Sequence, residues 1–95
     1  MGMYLKITKV KLEPNSRETA IKIGEYFKQI FLEQPGFVNV HFGGNDEIGE
    51  YVSMSLWKTK EDSDAVAQHV FPVIQKEFGQ FVKGATTEAF EVVDI

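Results

Sequence analysis

Between residues 37 and 57 the chain alternates, turns once and alternates again, and this limits the possible folds more than any other feature. Val38 to Phe42 alternates apolar with polar residues behind Phe37, Gly43-Gly44-Asn45-Asp46-Glu47-Ile48-Gly49 is rich in turn formers, and Tyr51 to Trp57 alternates again. Two such runs joined so closely make an antiparallel hairpin. Each flank of the hairpin carries one strand and one helix. Upstream, Tyr4 to Leu12 mixes β-branched and aromatic residues with polar ones and stops at Pro14-Asn15. Asn15 with Glu18 three positions on opens a helix whose Ala20, Ile23, Phe27, Ile30 and Phe31 recur at steps of three and four, and Pro35-Gly36 ends it. Downstream, Thr59 with Asp62 starts a second helix carrying Ala65, Val66, His69 and Val70. Pro72 lacks a backbone donor and disfavours the helical region at Phe71, which predicts a break or kink near Val70. A second helical piece then carries Ile74, Phe78 and Phe81 on its buried side. Gly84 closes it, and Thr87 to Ile95 reads as a last strand.

The order is βαββαβ in 95 residues, enough for one domain and too short for two. Four strands and two helices in this order predict an α+β, ferredoxin-like antiparallel sheet with both helices on one face, spanning residues 1–95 as a single domain. The hairpin offers two sets of side chains for the other face. Val38, Val40 and Phe42 with Val52, Met54 and Leu56 form an apolar set, which is expected under the helices. Phe37, Asn39 and His41 with Tyr51, Ser53, Ser55 and Trp57 form a mixed set, which is expected against a second copy of the chain. On the first strand Lys9 and Lys11 share parity with Leu5 and Ile7, so either a bulge near Thr8 or a strand outrunning the helices is expected.

A net charge of −4 and a single arginine, Arg17, argue against a phosphate-backbone partner, so no nucleic acid is expected. The absence of cysteine excludes disulfides, thiolate nucleophiles and Cys-based metal sites. No run approaches the length of a membrane span and the first residues lack the pattern of a secretion signal, so no membrane partner and a cytoplasmic location are expected.

Gln34-Pro35-Gly36-Phe37, the strand Tyr51-Val52-Ser53-Met54-Ser55-Leu56-Trp57 running into Lys58-Thr59-Lys60-Glu61, and a histidine one helix later at His69 resemble the dimeric α+β barrel proteins of the antibiotic biosynthesis monooxygenase type. The resemblance implies a homodimer whose sheets close a barrel, with a ligand cavity between sheet and helices in each subunit. It also implies oxygenation of a small aromatic or quinol substrate with no cofactor, neither metal nor flavin, the substrate anion itself reacting with oxygen. Haem-degrading relatives use an Asn on the first strand with a Trp and a His on the helix. Here Leu5 to Lys9 holds no Asn and Val66 stands nearest that Trp.

The candidate catalytic residues are His41, His69 and Asn39, and the candidate ligand-binding residues are Trp57, Tyr51, Ser53 and Ser55. An imidazole titrates near neutrality and suits acid–base work, but His41 equally suits a hydrogen bond in a dimer core and His69 equally suits the carbonyls at a helix end. Trp57 can stack on a flat ligand or anchor the strand–helix junction, and Tyr51, Ser53 and Ser55 can orient a ligand oxygen or pair within the barrel. A buried Asn39 needs a partner, since an unpaired amide costs about 1–3 kcal/mol. No spacing of His, Asp or Glu suggests a metal site. The expected function is cofactor-independent monooxygenation. Its rivals are a non-catalytic small-molecule-binding or regulatory module of the same fold and an RNA-binding sheet, the last disfavoured by the acidic charge.

Overall fold

The computed structural model describes residues 2–95. Its elements are β1 (Tyr4–Lys11), α1 (Arg17–Leu32), β2 (Phe37–Asn45), β3 (Glu50–Trp57), α2 (Lys60–Phe78) and β4 (Gly84–Glu91). The strands form one antiparallel sheet in the order β2-β3-β1-β4, with both helices on one face: the expected ferredoxin-like α+β architecture.

Helix α1 starts at Ser16 rather than through an Asn15 cap, because Asn15 sits in the left-handed region at φ 61°. Ile23, Phe27 and Phe31 form its buried stripe. Helix α2 opens as expected, with the Asp62 N–H donating to Thr59 Oγ1 at 3.1 Å. The expected break at Pro72 does not occur, and α2 runs through it for 19 residues. Val66, Val70, Ile74 and Phe78, each four residues from the last, bury one continuous stripe that holds the two halves in line.

The assignment of sheet faces reverses the expectation. Tyr51, Ser53, Ser55 and Trp57 of β3 lie under the helices together with Lys6, Thr8 and Val10 of β1, whereas Val52, Met54 and Leu56 point to the open face. A bulge at Val38 explains why the parity of β2 fails to hold. Phe37 pairs with Trp57 but Asn39 pairs with Leu56, so Phe37, Val40 and Phe42 share the helix side and Asn39 and His41 share the open side. Aromatic packing fixes which face is inner. The Trp57 ring is fully buried and meets Phe31 and Phe37 edge to face, at 5.5 Å between centroids in both cases. No bulge occurs near Thr8: β1 is regular against both neighbours, and Lys9 and Lys11 reach the open face at its far end.

Candidate functional site

A cavity of about 340 Å³ opens between α1 and the hairpin end of the sheet. Its α1 wall presents Ala20, Ile23, Gly24 and Phe27, and its sheet wall presents Phe42 and the Thr8 and Ser53 positions, so the space is apolar with hydroxyls on the floor. Thr8 and Ser53 face each other across β1 and β3 as direct register partners, and both are buried. Thr8 Oγ1 stands 3.3 Å from Thr87 Oγ1. Such a lining binds an apolar body and orients it through one or two oxygen atoms.

At one end a polar clasp ties α1 to the hairpin. The Tyr51 hydroxyl donates to Asp46 Oδ1 at 2.7 Å and accepts from the Ser16 N–H at 3.1 Å. Arg17 forms an ion pair with the same carboxylate at 2.9 Å, and the Asn15 N–H donates to the Asp46 carbonyl at 2.8 Å. The Tyr51 bond, then Arg17, hold the Asp46 carboxyl below its ordinary range. Desolvation, then the Asp46 acceptor, push the Tyr51 phenol up, so it stays a neutral donor. Its ring lies so close over Gly44 that a β-carbon there would overlap it.

Of the residues expected at the site, the fold brings Tyr51 and Ser53 to this cavity. Ser55 and Trp57 sit deeper and satisfy each other: Trp57 Nε1–H donates to Ser55 Oγ at 2.8 Å, and Ser55 Oγ donates to the Lys6 carbonyl at 3.4 Å. Asn39 and His41 lie exposed on the open sheet face, and His69 lies exposed on α2, so none of the three lines the cavity. Sequence reasoning missed Thr8, Gly24 and Phe42. The available signal was Gly24 itself, a glycine in the middle of an amphipathic helix. Among the described residues no three His, Cys, Asp or Glu side chains stand together as a metal site, and no helix is long and apolar enough to cross a membrane.

No protein-family model matches the sequence, and no curated protein matches it. Solved structures do match the fold. SnoaB of Streptomyces nogalater, a cofactor-independent oxygenase, superposes with a TM-score of 0.78 at 15% identity, over 100% of this chain and 97% of its own. The "putative antibiotic biosynthesis monooxygenase" of Nitrosomonas europaea gives a TM-score of 0.78 at 13% identity, over 98% of this chain and 93% of its own. A conserved protein from Methanosarcina mazei gives 0.74 at 12% identity, over 95% and 92%. At such identities the likeness speaks for the backbone alone, and the fold of this chain is that of the antibiotic biosynthesis monooxygenase-type proteins.

Proposed function

We propose that the protein is a cofactor-independent monooxygenase that takes a small aromatic or quinol-type substrate into the cavity between α1 and the sheet, and that it works as a homodimer. The observation that carries this reading is the cavity: about 340 Å³ of apolar space with the Thr8 and Ser53 hydroxyls at its floor, in a fold shared with a cofactor-independent oxygenase. The substrate's hydroxyl, or the CH₂ of its keto tautomer, loses a proton, and the resulting anion forms a C–O bond to O₂ at a ring carbon, giving a hydroperoxide. Its O–O bond then breaks: one oxygen stays on the ring as a carbonyl, and the other leaves as water with the remaining hydrogen of that carbon and the proton first removed. The protein's part is to hold the ring dry and fixed, with Thr8 and Ser53 orienting its oxygen and Tyr51 closing one end. His41 and Asn39 belong in this reading to the surface that meets the second copy.

Incubation of the protein with a panel of quinols and anthrones under ¹⁸O₂ tests it. Faster consumption than in buffer, with one labelled oxygen in the product, is the expected result, and Ser53→Val should lower the rate about a hundredfold, the lower end of the range for a lost transition-state hydrogen bond. Uncatalysed rates across the whole panel would remove the enzyme reading.

A second reading is a binding module without chemistry. It is favoured by the absence of any histidine from the cavity lining. A ligand that raises the melting temperature and is recovered unchanged would select it.

A further inference from the structure

The reaction proposed above takes a proton from the substrate and gives one back before the second oxygen leaves as water, so the cavity needs a route for protons as well as a shape. Its lining offers few groups for that work. Among the described residues no histidine lines it, and the Tyr51 hydroxyl already donates to Asp46. The charged side chains of the lining, Arg17, Glu25 and Lys28, all sit exposed on α1, away from the sheet floor. The floor itself carries a different feature. Register sets Ser53, Thr8 and Thr87 side by side on β3, β1 and β4, all on the helix side of the sheet. Ser53 and Thr8 are buried, but β4 is exposed along its whole length, so Thr87 meets solvent. The face given to the second copy is the opposite one and leaves Thr87 open. Thr8 Oγ1 stands 3.3 Å from Thr87 Oγ1, and either oxygen can be the donor. A hydroxyl accepts one hydrogen bond while it donates another, so a proton arriving on one oxygen is matched by a hydrogen leaving for the next. This contact joins the dry floor of the cavity to solvent through the side-chain row of the sheet.

We propose that Thr8 and Thr87 are the proton relay of the cavity, with Thr87 as its solvent end. This rests on the monooxygenase reading, and it adds the path that the protons of that reaction take. The substrate's acidic hydrogen passes to Thr8 Oγ1 as the Thr8 hydrogen passes to Thr87 Oγ1 and the Thr87 hydrogen passes to solvent. The substrate is left an anion, both threonines stay neutral and solvent holds the proton. The reverse passage returns a proton to the peroxide before its O–O bond breaks. Thr87 touches no substrate and acts through Thr8, so it is a positioning residue whose loss slows proton transfer and spares binding.

Steady-state kinetics with the panel of quinols and anthrones, in H₂O and in D₂O, on the native protein, Thr87→Val, Thr87→Ser and Glu25→Gln provides the test. Valine keeps the branched shape that suits a strand and removes only the hydroxyl, so the fold should hold by circular dichroism. Thr87→Val should lower kcat about a hundredfold, the low end for a lost proton transfer, and leave KM unchanged. Its solvent deuterium isotope effect on kcat should exceed that of the native protein, because proton transfer then limits the rate. Thr87→Ser should work at close to the native rate, which a purely structural role of the threonine would not foretell, and so should Glu25→Gln. A Thr87→Val protein with native kcat overturns the relay and leaves the monooxygenase standing, and a slow Glu25→Gln beside it would place the base on α1. A Thr87→Ser protein as slow as Thr87→Val overturns the relay as well, since the hydroxyl would not be what matters. A native protein that turns over none of the panel removes the monooxygenase reading and the relay with it.

Discussion

Lys6 and Lys9 stand three residues apart on one regular strand and meet opposite fates. Lys9 is exposed on the open face, while Lys6 is 7% exposed beneath α2, where its Nζ donates to the Ser63 carbonyl at 2.8 Å. Beside it Ser63 Oγ is buried without a hydrogen-bond partner. The sequence does not foretell which lysine is buried, because parity tells which residues share a face and not which face is covered. Desolvation holds the Lys6 ammonium below its ordinary value of 10.5, and the nearby Asp64 charge opposes this only in part. The folded protein therefore releases this proton at a lower pH than the unfolded chain. Between the depressed value and 10.5 the unfolded state binds more protons, so stability rises with pH through that window, and below it the full cost of the buried cation is present. Lys6→Met should accordingly be more stable than the native protein at neutral pH, with the difference shrinking as pH approaches 10.5. Urea midpoints of both proteins across that range measure it, and a difference that does not change with pH would dismiss the buried-cation account.

The elements themselves were legible. The four-residue steps of Ile23, Phe27 and Phe31 and the Thr59–Asp62 helix start carry local signals that the structure obeys, and the hairpin turn falls inside the expected stretch but only at residues 46–49, since β2 runs on through Gly43, Gly44 and Asn45. What could not be read was the sheet's orientation and with it the cavity. The open face carries Leu5, Ile7, Val52, Met54 and Leu56, and the inner face carries Lys6, Thr8, Ser53 and Ser55, so hydrophobicity pointed the wrong way. The inner hydroxyls are tolerated because Ser55 is bonded by Trp57 and to the β1 backbone, and because Thr8 and Ser53 border a cavity. Pro72 is the other element-level lesson, since tertiary burial of Val70 and Ile74 on either side overrides the local breaker. The ring is exposed and the missing donor remains a cost. Pro72→Ala should restore a helical hydrogen bond and stabilise the chain by up to about 3 kcal/mol. Urea unfolding reads this directly, and an unchanged or lowered midpoint would mean that the helix is adapted to its proline.

At the scale of the whole molecule the shape is a slab, 39 × 29 × 17 Å, thick enough for one sheet and one helix layer. Its accessible surface is 6289 Å², against about 5,500 Å² for a monomeric protein of this mass. The excess of roughly 800 Å² equals what each partner contributes to a standard interface. It is also apolar where it would have to be. Across the open face the register sets Asn39, Leu56, Leu5 and Phe90 in one row and His41, Met54, Ile7 and Glu88 in the next, an oily centre with Asn39 and His41 along the β2 edge and Glu88 beside Phe90 at the β4 edge. That is the layout of an interface core inside a polar rim, and a two-fold partner can present the same rows in return. Sedimentation at micromolar concentration should therefore find a particle of twice 10.8 kDa. Met54, 41% exposed at the centre of the patch, is the residue to challenge. Met54→Asp should leave the fold intact by circular dichroism and shift the protein to single chains, because each subunit would have to bury an unpaired carboxylate in the interface. A native protein that sediments as a well-folded single chain would show that this oily sheet tolerates water, and the homodimer would have to be abandoned.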